Sequence, residues 1–217
     1  MTICLDIETT GLLPSPNPSQ ISKGNTEDYI VAIGCLDDTS LNIFSAPFDL
    51  YKEPDGLKKS EEFCLNAFAD YYYDLLDYQS TRLLTYNGIS FDVPFITSKL
   101  LQLPRHTDSR IIGDLLDTSH HIDLMRYSQY VTGRRLTKDD ACRKLGNLYI
   151  PRKSEGLWNA RIYKNPTLLT DNDHIEMLSH NAIDLTATQR LFNVVRNFPD
   201  YGEWLKSGQQ GASYNVV

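Results

Sequence analysis

The chain has 217 residues and a formal net charge of −7, with 41% hydrophobic and 23% charged residues. This length suits one domain with a sizeable core, and the composition is typical of a soluble globular protein. No run approaches the about 18 apolar residues of a membrane span, and the strand-like N-terminus does not resemble a signal peptide. The four cysteines are widely spaced without a CxxC pair, which disfavours a disulfide scaffold or a zinc site. We therefore expect free thiols and a cytoplasmic or otherwise intracellular, reduced compartment.

The apolar residues predict an alternation of strands and helices. In chain order we predict strands over 2–8, 29–36 and 41–46, a helix over 57–78, a strand over 82–86, a helix over 93–101, a strand over 122–125 followed by a short helix, and helices over 137–146 and 171–197. Residues 12–28 and 147–170 are predicted as irregular segments. This order favours an α/β fold with a mixed sheet, in which 1–203 form one domain and 204–217 a polar, mobile tail.

Two carboxylates stand at the end of the first predicted strand. Asp6 and Glu8 lie two residues apart, so on a strand they point to the same face. Like charges this close repel each other and raise each other's pKa, and a divalent metal ion bound by both removes that conflict. Thr9, Thr10 and Gly11 follow, and they offer hydroxyls and an unhindered backbone to a substrate terminus. Taken alone, such a pair is more often a surface feature.

Two further acidic motifs follow along the chain. The segment 87–92, with the sequence NGISFD, follows a predicted strand and opens a helix, so Asp92 could be a metal ligand or an ordinary helix N-cap. His180 and Asp184 are four residues apart on the last predicted helix and therefore share a face. That pair alone would be read as a surface contact. Together the three motifs supply four carboxylates and one imidazole, a set suited to two-metal phosphodiester hydrolysis.

The negative net charge argues at first against a nucleic-acid partner, but the charge is unevenly distributed. Residues 99–164 contain 13 Lys and Arg against 7 Asp and Glu, a net charge of +6, whereas the remainder carries −13. A basic segment of this kind can follow a phosphate backbone, although a solvated basic surface is the alternative. Beside a metal-binding acidic cluster, the phosphate interpretation is favoured.

The three motifs and their order resemble the sequence signature of the DEDD superfamily of 3′→5′ exonucleases. The likeness rests on DxE in the first strand, NGxxFD before a helix and a late His followed by Asp, and it covers roughly residues 1–197. It implies an RNase H-like α/β fold, with a mixed five-stranded sheet flanked by helices. Asp123 resembles a strand-end Asp of exonuclease domains related to family B DNA polymerases, and we expect only a supporting role for it.

The resemblance also implies roles for the acidic residues. Asp6, Glu8, Asp92 and Asp184 would bind two divalent cations, Mg²⁺ or Mn²⁺, and His180 would be the general base. Family members with His usually place the final Asp five residues later, whereas those with Tyr place it four later. Here a His carries the four-residue spacing, which leaves the His-type or Tyr-type subfamily open.

The residues expected to bind substrate are Thr9, Thr10, Gly11, Leu12, Asn87 and Phe91. Leu12 is placed to pack against the terminal base, whereas for Phe91 we favour a position in the core. The expected substrates are single-stranded DNA or RNA 3′ ends, with DNA favoured, and the expected products are nucleoside 5′-monophosphates. A polymerase or repair partner in trans fits this activity, and a membrane partner does not. Two alternatives stay open: a structure-directed endonuclease on the same fold, and a non-catalytic nucleic-acid-binding protein.

Overall fold

A computed structural model describes residues 1–11, 28–76, 81–103, 108–151 and 168–208. The strands are β1 (Thr2–Thr9), β2 (Ile30–Leu36), β3 (Leu41–Phe44), β4 (Arg82–Thr85) and β5 (His121–Asp123). The helices are α1 (Gly56–Leu76), α2 (Asp92–Leu100), α3 (Ser109–Leu116), α4 (Leu124–Thr132), α5 (Lys138–Gly146), α6 (Asp171–Val195) and α7 (Pro199–Lys206). Short 3₁₀ turns occupy Phe48–Lys52 and Thr118–His120. No helix within the described ranges is both long and apolar enough to cross a membrane.

The five strands form one mixed sheet in the order β3-β2-β1-β4-β5. The first three strands pair antiparallel, whereas β1, β4 and β5 run parallel to one another. Parallel strands place their carboxyl ends at the same edge of a sheet, which is where ligand sites of α/β folds form. The ends of β1, β4 and β5 therefore bring the first two acidic motifs and Asp123 to one edge.

The side chains of β1 point alternately to the two faces of the sheet, and each face has its own hydrophobic core. Ile3, Leu5 and Ile7 point to the face covered by α1, α2 and α3, where they are buried with aromatic residues of α1. Cys4 points to the opposite face, which packs against α4, α5, α6 and α7. Asp6 and Glu8 share the face of Cys4 because strand side chains repeat every two residues. The two acids of β1 are thus directed at the side of the sheet that carries α6.

Two of the helices on this face, α5 and α6, are each held at the N-terminus by a threonine cap. Thr137 accepts a hydrogen bond from the Asp140 amide at 3.1 Å and so starts α5, as the sequence predicted. Thr170 starts α6 through a capping box with Asp173, in which each side chain accepts from the other residue's backbone. These caps fix where the two helices begin and hence which residues face the sheet.

The last helix differs from the prediction. The sequence predicted the last helix to end at residue 197, before Pro199, but Pro199 stands in the first turn of a further helix, α7, where its missing N–H costs nothing. Trp204 on α7 is fully buried against Tyr127 and Tyr201, so the expected boundary after residue 203 falls within this helix. Most of the expected tail, residues 209–217, lies outside the described residues, as do 12–27 and 152–167 of the expected irregular segments.

The two parallel strands β4 and β5 are shorter than expected at their carboxyl ends. Strand β5 ends at Asp123, where we predicted it to continue to Met125. The reason is that the Asp123 side chain accepts a hydrogen bond from the Met125 amide at 3.0 Å and starts α4 immediately. Helix α3 was also not predicted, although its apolar residues Ile111, Ile112, Leu115 and Leu116 recur at helical spacing, because eight residues span only about two turns and give a weak periodic signal.

All four cysteines are buried as free thiols. Burial raises the pKa of the Cys64 thiol to about 12, so this side chain behaves as a small apolar group.

His121 makes the stability of the fold dependent on pH. The ring is fully buried at the start of β5, and burial lowers its pKa below the ordinary 6.5, although Asp114 and Asp117 oppose that shift. The unfolded chain therefore takes up the proton first, and unfolding free energy is lost as the pH falls below about 6.5, by at most about 1.4 kcal/mol per pH unit. Urea denaturation at about pH 7.5 and about pH 5 should show a smaller loss for His121→Gln than for the wild type.

The exposed neighbour provides the matched control for this measurement. His120→Gln removes an imidazole that is half exposed and should change the pH dependence of unfolding less than His121→Gln does. Equal pH dependence in the wild type and in His121→Gln would contradict the assignment to His121.

Candidate active site

The centre of the site is the pair of acids on β1. Asp6 lies opposite Gly34 in the antiparallel register, and Glu8 lies opposite Ala32. The Asp6 side chain is 14% exposed and the Glu8 side chain 10% exposed, so both carboxylates are largely shielded from water. Charges in such a position need partners of opposite sign or hydrogen-bond donors. The surrounding elements supply both.

Helix α6 brings His180 and Asp184 to Glu8. The Nδ1 atom of His180 lies 2.8 Å from Oε1 of Glu8. Ligand atoms of Glu8, His180 and Asp184 all lie within 4.8 Å of one another. Burial raises the pKa of Glu8 above its ordinary value, and the hydrogen bond with His180 opposes that rise. Two carboxylates and one imidazole at this spacing fit a divalent cation in the chemistry of their donor atoms.

Asp92 joins the site through the backbone of β1. Its Oδ1 accepts a hydrogen bond at 3.0 Å from the amide of Ile7, the residue between the two acids. The N-cap of α2 is Phe91, so Asp92 is not the N-cap that the sequence left open as an alternative. Burial raises the pKa of Asp92 well above its ordinary value, and the negative charge of Asp6 adds to the rise. Asp92 therefore stands close enough to Asp6 for the two charges to interact.

Lys138 is a member of the site that sequence reasoning missed. Its Nζ lies 2.9 Å from Oδ1 of Asp6 and 3.1 Å from Oδ2 of Asp184. Burial alone would lower the pKa of Lys138, but the two carboxylates outweigh it and raise the pKa above its ordinary range. In the sequence this lysine was one of 13 basic residues between the second and third motifs. Its one distinguishing signal was its place in the first turn of a helix, where the dipole disfavours positive charge.

Asn181 is a second residue that the motifs did not single out. Its Nδ2 donates to Oδ2 of Asp6 at 3.1 Å and to the backbone oxygen of Asp6 at 3.3 Å. The approach depends on Gly34, because a Cβ at that position would collide with the Asn181 side chain. Asn181 thus links α6 to β1, the strand that carries Asp6 and Glu8. Only its position next to His180 could have drawn attention to it.

The three residues that follow β1 shape a turn. The Thr10 hydroxyl accepts from the Tyr29 amide at 2.8 Å, and the Thr9 hydroxyl donates to the backbone oxygen of Gly11 at 2.5 Å. A Cβ on Gly11 would collide with the carboxylate of Asp28. These hydrogen bonds hold the chain where it leaves β1, and a role of the three residues in binding substrate stays a prediction. Leu12 lies outside the described residues.

The turn after β4 is held by Asp123. Asn87 has a left-handed backbone with φ of 70°, and its amide donates to Oδ1 of Asp123 at 2.9 Å. The Ile89 amide donates to Oδ2 of the same carboxylate at 3.3 Å. Phe91 is partly buried against the core and packs edge-on to Phe95 at 5.6 Å between ring centroids, as favoured from the sequence. Asp123 therefore positions the segment that leads to Asp92.

Comparison with known proteins places this arrangement in a family. A family model of the RNase H superfamily matches residues 3–196. The chain therefore belongs to the RNase H superfamily, and the mixed five-stranded sheet with seven helices seen in the described residues is the α/β fold that the motifs implied. No curated protein sequence matches the chain.

Two solved structures are among those similar to this chain. The family B DNA polymerase of the hyperthermophilic archaeon Pyrobaculum calidifontis superposes with a TM-score of 0.58 at 16% identity, over 90% of this chain and 24% of the polymerase. Exonuclease I of E. coli, in complex with a dA16 oligonucleotide, matches with a TM-score of 0.47 at 16% identity, over 95% of this chain and 43% of that protein. The chain thus spans less than half the length of either protein.

The role of Asp123 can be tested by stability. Asp123→Ala removes the acceptor for three backbone amides and should lower the unfolding free energy by about 2–4 kcal/mol. Urea denaturation at neutral pH measures the loss. Asp108→Ala is the matched control, because Asp108 caps α3 through a single backbone amide at a more exposed position and should cost less. A loss for Asp123→Ala no greater than that for Asp108→Ala would show that the three hydrogen bonds add little.

Proposed function

We propose that this protein is a metal-dependent 3′→5′ exonuclease that hydrolyses single-stranded nucleic acid. The observation that carries the proposal is the convergence of three distant motifs on one site. Glu8 on β1 meets His180 and Asp184 on α6, and Asp92 at the start of α2 is bonded to the backbone of β1 beside Asp6. Membership of the RNase H superfamily agrees with a nuclease. These five side chains are the set that the DEDD resemblance implies.

In this proposal the carboxylates of Asp6, Glu8, Asp92 and Asp184 hold two divalent cations. Oxygen ligands of this kind favour Mg²⁺ or Mn²⁺ over softer metals. When bound, the cations would supply a water of lowered pKa and would stabilise negative charge on the leaving 3′ oxygen. The four residues come from β1, α2 and α6, so the fold must be complete before the ligand set exists.

His180 is the proposed general base. Its Nδ1 is hydrogen-bonded to the Glu8 carboxylate, so the tautomer with the proton on Nδ1 leaves Nε2 as the basic nitrogen. The side chain is 25% exposed, which gives water access to the ring. An unperturbed imidazole has a pKa of about 6.5 and can accept a proton near neutral pH. The bond to Glu8 also fixes the orientation of the ring.

The proposed substrate is a single strand with a free 3′ end, with DNA favoured over RNA, and the products are nucleoside 5′-monophosphates. Support comes from the basic segment, because Arg134, Arg135 and Arg143 are exposed on and before α5, the helix that carries Lys138 into the site. Exposed cations next to an acidic site can hold a phosphate backbone whose end enters that site. A polymerase or repair protein acting in trans is part of this proposal.

The first test is a time course on 5′-labelled single-stranded DNA and RNA of the same sequence. With Mg²⁺ or Mn²⁺ the wild type should give a ladder that shortens from the 3′ end, and EDTA should abolish it. Asp6→Asn should lower the rate to below about one-hundredth, because a lost ligand removes several kcal/mol of transition-state stabilisation. Asp38→Asn, an exposed acid in the turn after β2, is the matched control and should keep the wild-type rate.

The same assay separates the alternatives. A circular single strand has no 3′ end, so its cleavage would indicate an endonuclease instead. Metal-independent binding without any turnover would indicate a non-catalytic binding protein. A wild-type rate in Asp6→Asn, with melting temperature unchanged, would show that the site is misassigned.

The role of His180 predicts a particular kinetic pattern. His180→Ala should lower kcat by about a hundredfold or more while KM changes by less than about threefold, because a general base acts in the transition state. His174→Ala is the control on the same helix, since His174 is hydrogen-bonded to Ser45 instead. Steady-state kinetics on the labelled strand make the measurement. Equal losses in kcat and in substrate affinity would argue for a binding role of His180.

A further inference from the structure

The ammonium group of Lys138 lies between two carboxylates that the proposed function assigns to metal binding. It contacts Asp6 at 2.9 Å and Asp184 at 3.1 Å. These two residues come from β1 and α6, so Lys138 bridges the two elements that form the site. The contact is therefore part of the acidic centre itself and not a peripheral ion pair.

This ion pair belongs to the buried class. The exposed fractions are 13% for the Lys138 side chain, 14% for Asp6 and 11% for Asp184. Buried charges lose their hydration, and the attraction between opposite charges compensates for that loss only while both partners are present. The lysine is also the first residue of α5, where the helix dipole disfavours a cation. An arrangement with these two costs implies that the carboxylates need a positive charge at this point.

We propose that Lys138 is a tethered cation that neutralises the acidic centre when no divalent metal is bound and competes with metal for Asp6 and Asp184. The inference rests on the proposed function only in taking these two acids as metal ligands. An ammonium and a divalent ion on the same oxygens would be like charges at short range, which repel strongly in a shielded site. Metal binding therefore has to release Lys138 from at least one carboxylate.

The lysine side chain suits such an exchange. Its ammonium is a compact charge on a flexible four-carbon stem, whereas an arginine would hold a carboxylate through a rigid two-pronged contact. Thr137 fixes the start of α5, so the backbone of Lys138 stays in place while the side chain moves. Because the ammonium is covalently attached to α5, it stays close to the two carboxylates. A higher metal concentration is therefore needed to fill the site.

The test compares metal affinity without using activity. Protein stripped with EDTA and dialysed is titrated with Mn²⁺ in a calorimeter, for the wild type, Lys138→Met and Lys138→Arg. Lys138→Met should bind Mn²⁺ at least about tenfold more tightly than the wild type, because the competing charge is gone. Lys138→Arg keeps the charge and should not gain affinity. Lys144→Met removes an exposed charge from the same helix and should change little.

Thermal unfolding gives a second readout. In EDTA, Lys138→Met should melt below the wild type, because Asp6 and Asp184 then lack their cation, and saturating Mn²⁺ should raise its melting temperature more than that of the wild type. Lys138→Gln loses the charge but keeps a hydrogen-bond donor, and it replaces Lys138→Met in both measurements should that variant fail to fold. Equal or weaker Mn²⁺ binding by the uncharged variant, or none, overturns the proposal.

The two proposals fail in different ways. Tighter Mn²⁺ binding by Lys138→Met together with no hydrolysis by the wild type would support Lys138 as a competing cation and would contradict the exonuclease proposal. A metal-dependent 3′ ladder in the wild type together with unchanged Mn²⁺ affinity in Lys138→Met would support the exonuclease proposal and would contradict the competing cation.

Discussion

The crowding of acidic groups at the end of β1 is the constraint on which the rest of the structure depends. Asp6 and Glu8 share a face of a buried strand, and Asp92 and Asp184 are brought to them from two helices. Negative charges so close, and so far from water, raise one another's pKa and oppose folding unless something compensates. His180, Asn181 and Lys138 surround them, and each is hydrogen-bonded to a carboxylate of the set. The helices on this side of the sheet thus contribute charge balance as much as apolar packing.

The sequence predicted the parts of this centre that follow from periodicity. A strand repeat of two placed Asp6 with Glu8, and a helical repeat of 3.6 placed His180 with Asp184; both relations hold in the structure. They depend only on local geometry, which a few neighbouring residues determine. The superfamily followed from the resemblance of the three motifs to the DEDD exonucleases, and the mixed sheet from the order of the predicted strands and helices.

The parts that escaped prediction depend on contacts distant in sequence. Lys138 is 132 residues from Asp6, and within its own segment it was one of 13 basic residues expected to follow a phosphate backbone. Trp204 became part of the core because Tyr127 and Tyr201 lie beside it, so Pro199 begins a helix where its local signal suggested an end. Asp92 could be assigned as a helix cap or a site residue from sequence alone. The structure excludes the helix cap, because Phe91 is the N-cap of α2. The hydrogen bond from the Ile7 amide, 85 residues away in sequence, places Asp92 beside β1.

One residue without a side chain determines how closely the sheet and α6 approach each other. Gly34 stands opposite Asp6 on β2, and the side chain of Asn181 fills the space that any Cβ would take. Leu185, one turn further along α6, presses against the same position. The width of the acidic centre is therefore set from the neighbouring strand, by a residue that carries no charge. Even an alanine there would act as a wedge, parting Glu8 from His180 and Asp184 while leaving every acidic group intact.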